Sequence, residues 1–101
     1  MIGGYYILDG HEPVVCDEIA WACRNRDIEG RRVASTQVAD ASVSTIFLGS
    51  DYSFGSQPPL FFETMIFGGE HDEFCDRYST WDDAQAGHDR IVNCLEEGRE
   101  P

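Results

Sequence analysis

The chain has no lysine: all seven basic residues are arginine, set against nineteen aspartates and glutamates, and its 101 residues carry a formal net charge of −12. Without lysine there is no G-K-[ST] phosphate loop. The negative field opposes binding to nucleic acid or an anionic membrane and favours association with basic surfaces. Apolar runs are short, far below the roughly 20 residues that cross a bilayer. Met1–Asp9 lacks the basic segment and long apolar core of a secretory signal, so a soluble, cytosolic protein is expected. The four cysteines (Cys16, Cys23, Cys75, Cys94) form no C-x-x-C pair and are expected to be reduced thiols. With only three widely spaced histidines, and no G-x-S-x-G or H-E-x-x-H, no nucleophile–base–orienter set or metal-ligand spacing is legible, and no cofactor is expected.

What is present centres on residues 43–69, which hold five of the six phenylalanines and read as two strands joined by a Gly/Ser/Pro loop. Tyr5–Asp9 reads as a short strand ending in an Asp-Gly turn. Residues 15–26 read as a helix with Val15, Ile19, Ala22 and Cys23 on its apolar face and Trp21 off that stripe, an interface anchor or a marginal packing residue. The alternation over residues 31–39 and 43–48 predicts a β-hairpin reversing at Asp40-Ala41. Leu60–Phe67 is apolar on both faces, as in a central strand covered on both sides, and a short last strand falls near Phe74–Tyr78. Thr80-x-x-Asp83 approximates a capping box for a C-terminal helix lined by Trp81, Ala84, Gln85, His88, Ile91, Val92 and Leu95 and ended by Gly98. The expected fold is a single α+β domain: an antiparallel sheet of four to five strands with an N-terminal and a C-terminal helix packed on it, and a frayed tail at 98–101.

Several side chains invite a chemical reading. Glu63, in the most apolar strand, is either a general acid/base or the partner of a cross-strand arginine such as Arg31 or Arg32. His88, on the apolar helix face, is either a catalytic or metal-binding imidazole or a hydrogen-bonded core residue. Glu70, His71, Asp72 and Glu73 sit together, yet their spacing matches no Ca²⁺ loop and suits a solvated turn. The 49–59 loop carries Asp51, Tyr52 and Phe54, a candidate contact surface. From residue 61 onward eleven acids face Arg77, Arg90 and Arg99, so this part carries −8 of the charge.

Phe47-Leu48-Gly49, Phe54-Gly55, the run Pro58–Gly69 (PPLFFETMIFGG), Arg77–Trp81 (RYSTW) and Ala86-Gly87-His88 together resemble a family of small proteins encoded by bacteriophages and prophages. The resemblance runs from about Arg32 to Val92. Members of that family carry a His after the middle-loop Asp, where this chain has Tyr52. The resemblance implies a phage or mobile-element origin and a bacterial cytoplasmic location, and it transfers no catalytic residue. With the acidity, it leads to the expectation of a non-enzymatic, anti-CRISPR-like inhibitor of a host defence complex. Such a protein would meet the basic surface of a nucleic-acid-handling effector through Glu70, Asp72, Glu73, Asp76, Asp82, Asp83 and Asp89, with Tyr52, Phe54 or Trp21 as apolar anchors. Alternative readings are a nucleotide-binding sponge using Arg31, Arg32 and Arg77, a small hydrolase using Glu63 or His88, and a phage-particle assembly protein. A sheet edge offers a route to a homodimer.

Overall fold

The computed structural model describes residues 4–101 as an α+β fold with a two-stranded sheet, a four-stranded sheet and three helices. Strands β1 (Tyr5–Asp9) and β2 (Glu12–Cys16) form an antiparallel hairpin in which Asp9 faces Glu12. Gly10 takes φ +63° at the first turn position, as in a type II′ turn. The chain continues into α1 (Glu18–Asn25), capped by Asp17, which accepts from the Ala20 amide at 2.8 Å, and then the single turn α2 (Ile28–Arg31). The expected helix over 15–26 therefore starts three residues late. Val14 and Val15 are β-branched and pair across from Ile7 and Tyr6, and Asp17 marks the helix start.

The expected burial of that helix is inverted. Val15 and Ile19 are 73% and 78% exposed, while Trp21 turns inward and donates its indole N–H to the Gly49 carbonyl at 2.9 Å. Gly49 O also accepts from Tyr6 N at 3.0 Å, so one carbonyl pins both the hairpin and α1 to the main sheet. At φ +84°, with an added Cβ only 2.9 Å from Trp21 Nε1, residue 49 has to be glycine. The N-terminal helix packs on β1 rather than covering the larger sheet.

That sheet is an antiparallel meander of β3 (Arg32–Val38), β4 (Ala41–Phe47), β5 (Phe62–Phe67) and β6 (Cys75–Tyr78), in that order. The first reversal falls at Ala39-Asp40, one residue earlier than expected. The last helix, α3 (Trp81–Glu96), covers one face, with Thr80 Oγ1 accepting from the Asp83 amide at 3.0 Å as the capping pattern predicts. On β5, Phe62, Thr64 and Ile66 are fully buried beneath α3. Glu63 and Met65 are half-buried and Phe67 is 52% exposed, so β5 is central but covered on one face only. Two-sided apolarity mimics two-sided burial here, because the second helix is held at the end of the sheet.

The core beneath α3 has an apolar–polar–apolar order. One cluster joins Leu8, Phe47, Phe61, Phe62 and Ala84; the other joins Ala41, Val43, Ile66 and Ile91. Between them along β4, β5 and α3 lie Thr45, Thr64 and His88, at 0%, 0% and 2% exposure. His88 Nδ1 pairs with Thr45 Oγ1 at 2.7 Å and Nε2 with Thr36 Oγ1 at 2.9 Å. Thr64 Oγ1 pairs with Thr45 Oγ1 and accepts from the Tyr78 hydroxyl at 3.1 Å. Hydroxyls donate or accept as required, so either neutral tautomer of His88 is satisfied. His88 is thus the hydrogen-bonded core residue of the two sequence readings.

The helix comes close enough to the sheet for this layer because residue 87 is glycine. A Cβ there would overlap the Tyr78 ring, with Cε1 2.3 Å away. Gly87→Ala should therefore cost about 1–3 kcal/mol through overpacking. A denaturant-based double-mutant cycle with Tyr78→Ala should give less than the sum of the single losses; strict additivity would break the assignment.

Burial holds the His88 pKa below its ordinary value, slightly offset by Asp89. Below about pH 6.5 the unfolded chain takes up a proton that the folded protein resists. The stability contribution is therefore complete above that pH and declines as pH falls beneath it. Denaturant midpoints should drop between pH 6.5 and 5, and His88→Gln should flatten that slope.

Candidate functional site

Covering one side of the sheet with α3 creates two chemically different surfaces. The first is the outward face of α3. A 16-residue helix is about 24 Å long, and this one exposes Asp82, Asp83, Asp89, Glu96 and Glu97 along its length. The intervening Ala86 and Asn93 are neutral. Arg90, the one cation on the helix, leans to Asp76 at 3.4 Å. The acids recur at helical spacing because the positions between them are committed to the core.

The turn between β5 and β6 continues this acidic band. Glu70 and His71 share a cavity of about 150 Å³ with Asp40, Leu95 and Arg99 at the C-terminal end of α3. Glu70, Asp72 and Glu73 are exposed. Asp72 also has a structural role, accepting from the Gly68 amide at 2.7 Å. Of the seven acids read from the sequence, six are exposed and placed along this band; Asp76 is half-buried and paired with Arg90.

The second surface is the open face of the sheet. Glu63 here faces Arg77 across β5 and β6, with Arg77 Nε donating to Glu63 Oε2 at 2.9 Å. The partner is Arg77 rather than Arg31 or Arg32, because β6, not β3, is the neighbour of β5. The Arg77 guanidinium also lies 5.2 Å from the Tyr52 ring centroid, and Tyr52 meets Phe54 edge-on. Its hydrogen bond to Glu63 raises the Arg77 pKa. Phe54 is 65% exposed.

The loop bearing these aromatics is ordered by Asp51, whose Oδ1 accepts from Ser53 N at 2.8 Å and Leu60 N at 2.9 Å. Burial alone would raise the Asp51 pKa, but these amide bonds lower it overall. The proposed anchors Tyr52 and Phe54 thus lie beside Arg77 on the open face, away from the acids of α3. Trp21 is half-buried and engaged with Gly49.

Neither alternative residue set assembles into one site. Glu63 lies on the open face, whereas His88 lies under α3 on the other. Arg32 is paired with Glu29 at 2.7 Å and Arg77 with Glu63, while Arg31 is bound to the carbonyls of Phe47 and Asn25. Among the described residues no group of three or more His, Cys, Asp or Glu side chains is placed to hold a metal ion. No family model, curated protein or solved structure matches the chain.

Sequence reasoning missed the role of Cys75, which period-two spacing from Arg77 places on the same face. Its thiol donates to Glu63 Oε2 at 3.2 Å, and partial burial together with the bond and charge of Glu63 pushes its pKa up to about 11. Although Cys75 is an exposed residue, it should alkylate at pH 8 roughly a hundredfold more slowly than an ordinary thiol. Glu63→Gln should accelerate that reaction severalfold in peptide-resolved mass spectrometry. An unchanged rate would mean that Glu63 does not hold the thiol.

Proposed function

We propose that this is a phage- or mobile-element-encoded acidic binding protein that inhibits a host defence complex in the bacterial cytoplasm. In this anti-CRISPR-like reading it occupies a basic surface through which the complex grips nucleic acid. The observation that carries the reading is the outward face of α3: a rod about 24 Å long with Asp82, Asp83, Asp89, Glu96 and the C-cap Glu97 exposed and one exposed cation, Arg90, which leans to Asp76. Carboxylates at this spacing present negative charge to an Arg/Lys channel much as a phosphate backbone does, and such complementarity acts chiefly on association rate and partner choice.

The docking surface in this reading is the acidic band alone. Tyr52 and Phe54 face another direction and belong to a separate contact. The hydrolase reading would need Glu63 or His88 free for chemistry, whereas Glu63 is paired with Arg77 and His88 is enclosed among threonines. The nucleotide-sponge reading loses Arg32 and Arg77 to ion pairs, and the phage-particle reading has no observation that favours it. A homodimer would use one of the two sheet edges, β3 or β6.

Affinity capture of the tagged protein from a bacterial lysate, at low and high salt, tests the proposal. A stoichiometric partner that dissociates in salt and loses its nucleic acid when bound is the expected result. The variant Asp82→Asn/Asp83→Asn/Asp89→Arg keeps the first helical turn free of cations, which would oppose the helix dipole. It should slow association by about tenfold or more and flatten its salt dependence. Unchanged capture and kinetics would remove the electrostatic basis of the proposal.

A further inference from the structure

The arginines of this chain are unevenly served. Arg32, Arg77, Arg90 and Arg99 each have a carboxylate within 4.0 Å. Arg24, Arg26 and Arg31 have none among the described residues, in a chain whose acids outnumber its bases nineteen to seven. Two of these three line the same cavity, of about 60 Å³, between β1, the α1–α2 turn and the end of β4. Its apolar wall comes from Ile7, Leu8 and Phe47.

We propose that this cavity is a binding site for a phosphate-sized oxyanion, held between the guanidinium groups of Arg24 and Arg31. Both groups are held by backbone carbonyls before any ligand arrives. Arg24 Nη2 donates to the Leu8 carbonyl at 2.9 Å; Arg31 donates through Nε to Phe47 O at 3.0 Å and through Nη1 to Asn25 O at 3.2 Å. A guanidinium has five N–H donors, so these bonds fix the orientation of each group and leave donors free. Carbonyl oxygens soften the desolvation of a half-buried cation but supply no counter-charge. Burial accordingly lowers the Arg31 pKa, with a small opposing effect from Tyr52.

Asp27 also lines the wall, but its Oδ1 is bound to the Gly30 amide at 3.0 Å as the cap of α2, and it forms no ion pair with either arginine. The volume is several times the roughly 10–15 Å³ that one water requires, enough for a tetrahedral oxyanion and too little for a whole nucleotide. Arg24 is exposed and Arg31 half-buried, which gives an entry side and a floor. Planar forks of this kind suit phosphate oxygens in bidentate contact.

The test is isothermal titration calorimetry of the full chain with inorganic phosphate, ribose 5-phosphate and acetate at matched ionic strength. Saturable binding of either phosphate compound, stronger than that of acetate, is expected. The tighter of the two distinguishes a free anion from a phosphorylated small molecule. Arg24→Gln, at an exposed position, should weaken binding about tenfold or more, whereas Arg26→Gln, the unpaired arginine outside the cavity, should leave it unchanged. Arg31→Lys, which keeps the charge but loses the fork, should weaken it as well. No saturable binding of either phosphate, preference for acetate, or equal losses in Arg24→Gln and Arg26→Gln would each overturn the assignment.

Discussion

The fold depends on a polar layer across the middle of its core. Thr45 and Thr64 meet His88 of α3 between two apolar clusters, with Thr36 and Tyr78 completing the chain of hydroxyls. Sliding α3 along the sheet by one turn would set His88 against Val43 and Ile66 or against Phe47 and Phe62. An imidazole and several hydroxyls would then be buried without partners, at about 1–3 kcal/mol for each such group. Apolar contacts alone tolerate many registers; this layer tolerates one. Gly87 serves the same end by admitting the Tyr78 ring against the helix backbone.

From that register the surfaces follow. With Ala84, His88, Ile91 and Cys94 committed inward, the remaining positions of α3 form a solvated stripe, and the acids occupy it. The opposite face of the sheet is left open, so Glu63 in the most apolar strand lies at a surface, where Arg77 pairs with it and Cys75 and Tyr52 gather around the pair. The strong local apolarity of β5 and the exposure of its second face are compatible because β1, β2 and α1 dock at the end of the sheet through the Gly49 carbonyl. That docking also encloses the arginine-lined cavity, whose walls come from three segments, with Leu8 and Arg24, and again Arg31 and Phe47, 16 residues apart in the chain.

Much of the fold was legible where the signal is local. The capping box at Thr80, the helical spacing after it, the hairpin formed by β3 and β4, and the α+β class all follow from nearest-neighbour chemistry and periodicity. The N-terminal helix was misplaced because Val15 and Ile19 imitate an apolar stripe at helical spacing, while the inward residue is Trp21, chosen by a hydrogen bond to a carbonyl 28 positions away. The acids of the candidate surface were legible as residues and the aromatic anchors as exposed candidates. Their separation onto different faces was not, since it depends on which side of the sheet the helix covers.

The sequence by itself determined the types of most elements from β3 to α3, the −12 charge and the concentration of that charge in the C-terminal part, because propensity, capping and composition require no distant partner. Tertiary structure decided which face of each element is buried, that Glu63 meets Arg77 rather than Arg31 or Arg32, that His88 is enclosed among threonines, and that Arg24 and Arg31 share a cavity. Each of these depends on strand order and helix register. Those are global properties, selected by the combined demand to bury apolar area and leave no buried polar group without a partner.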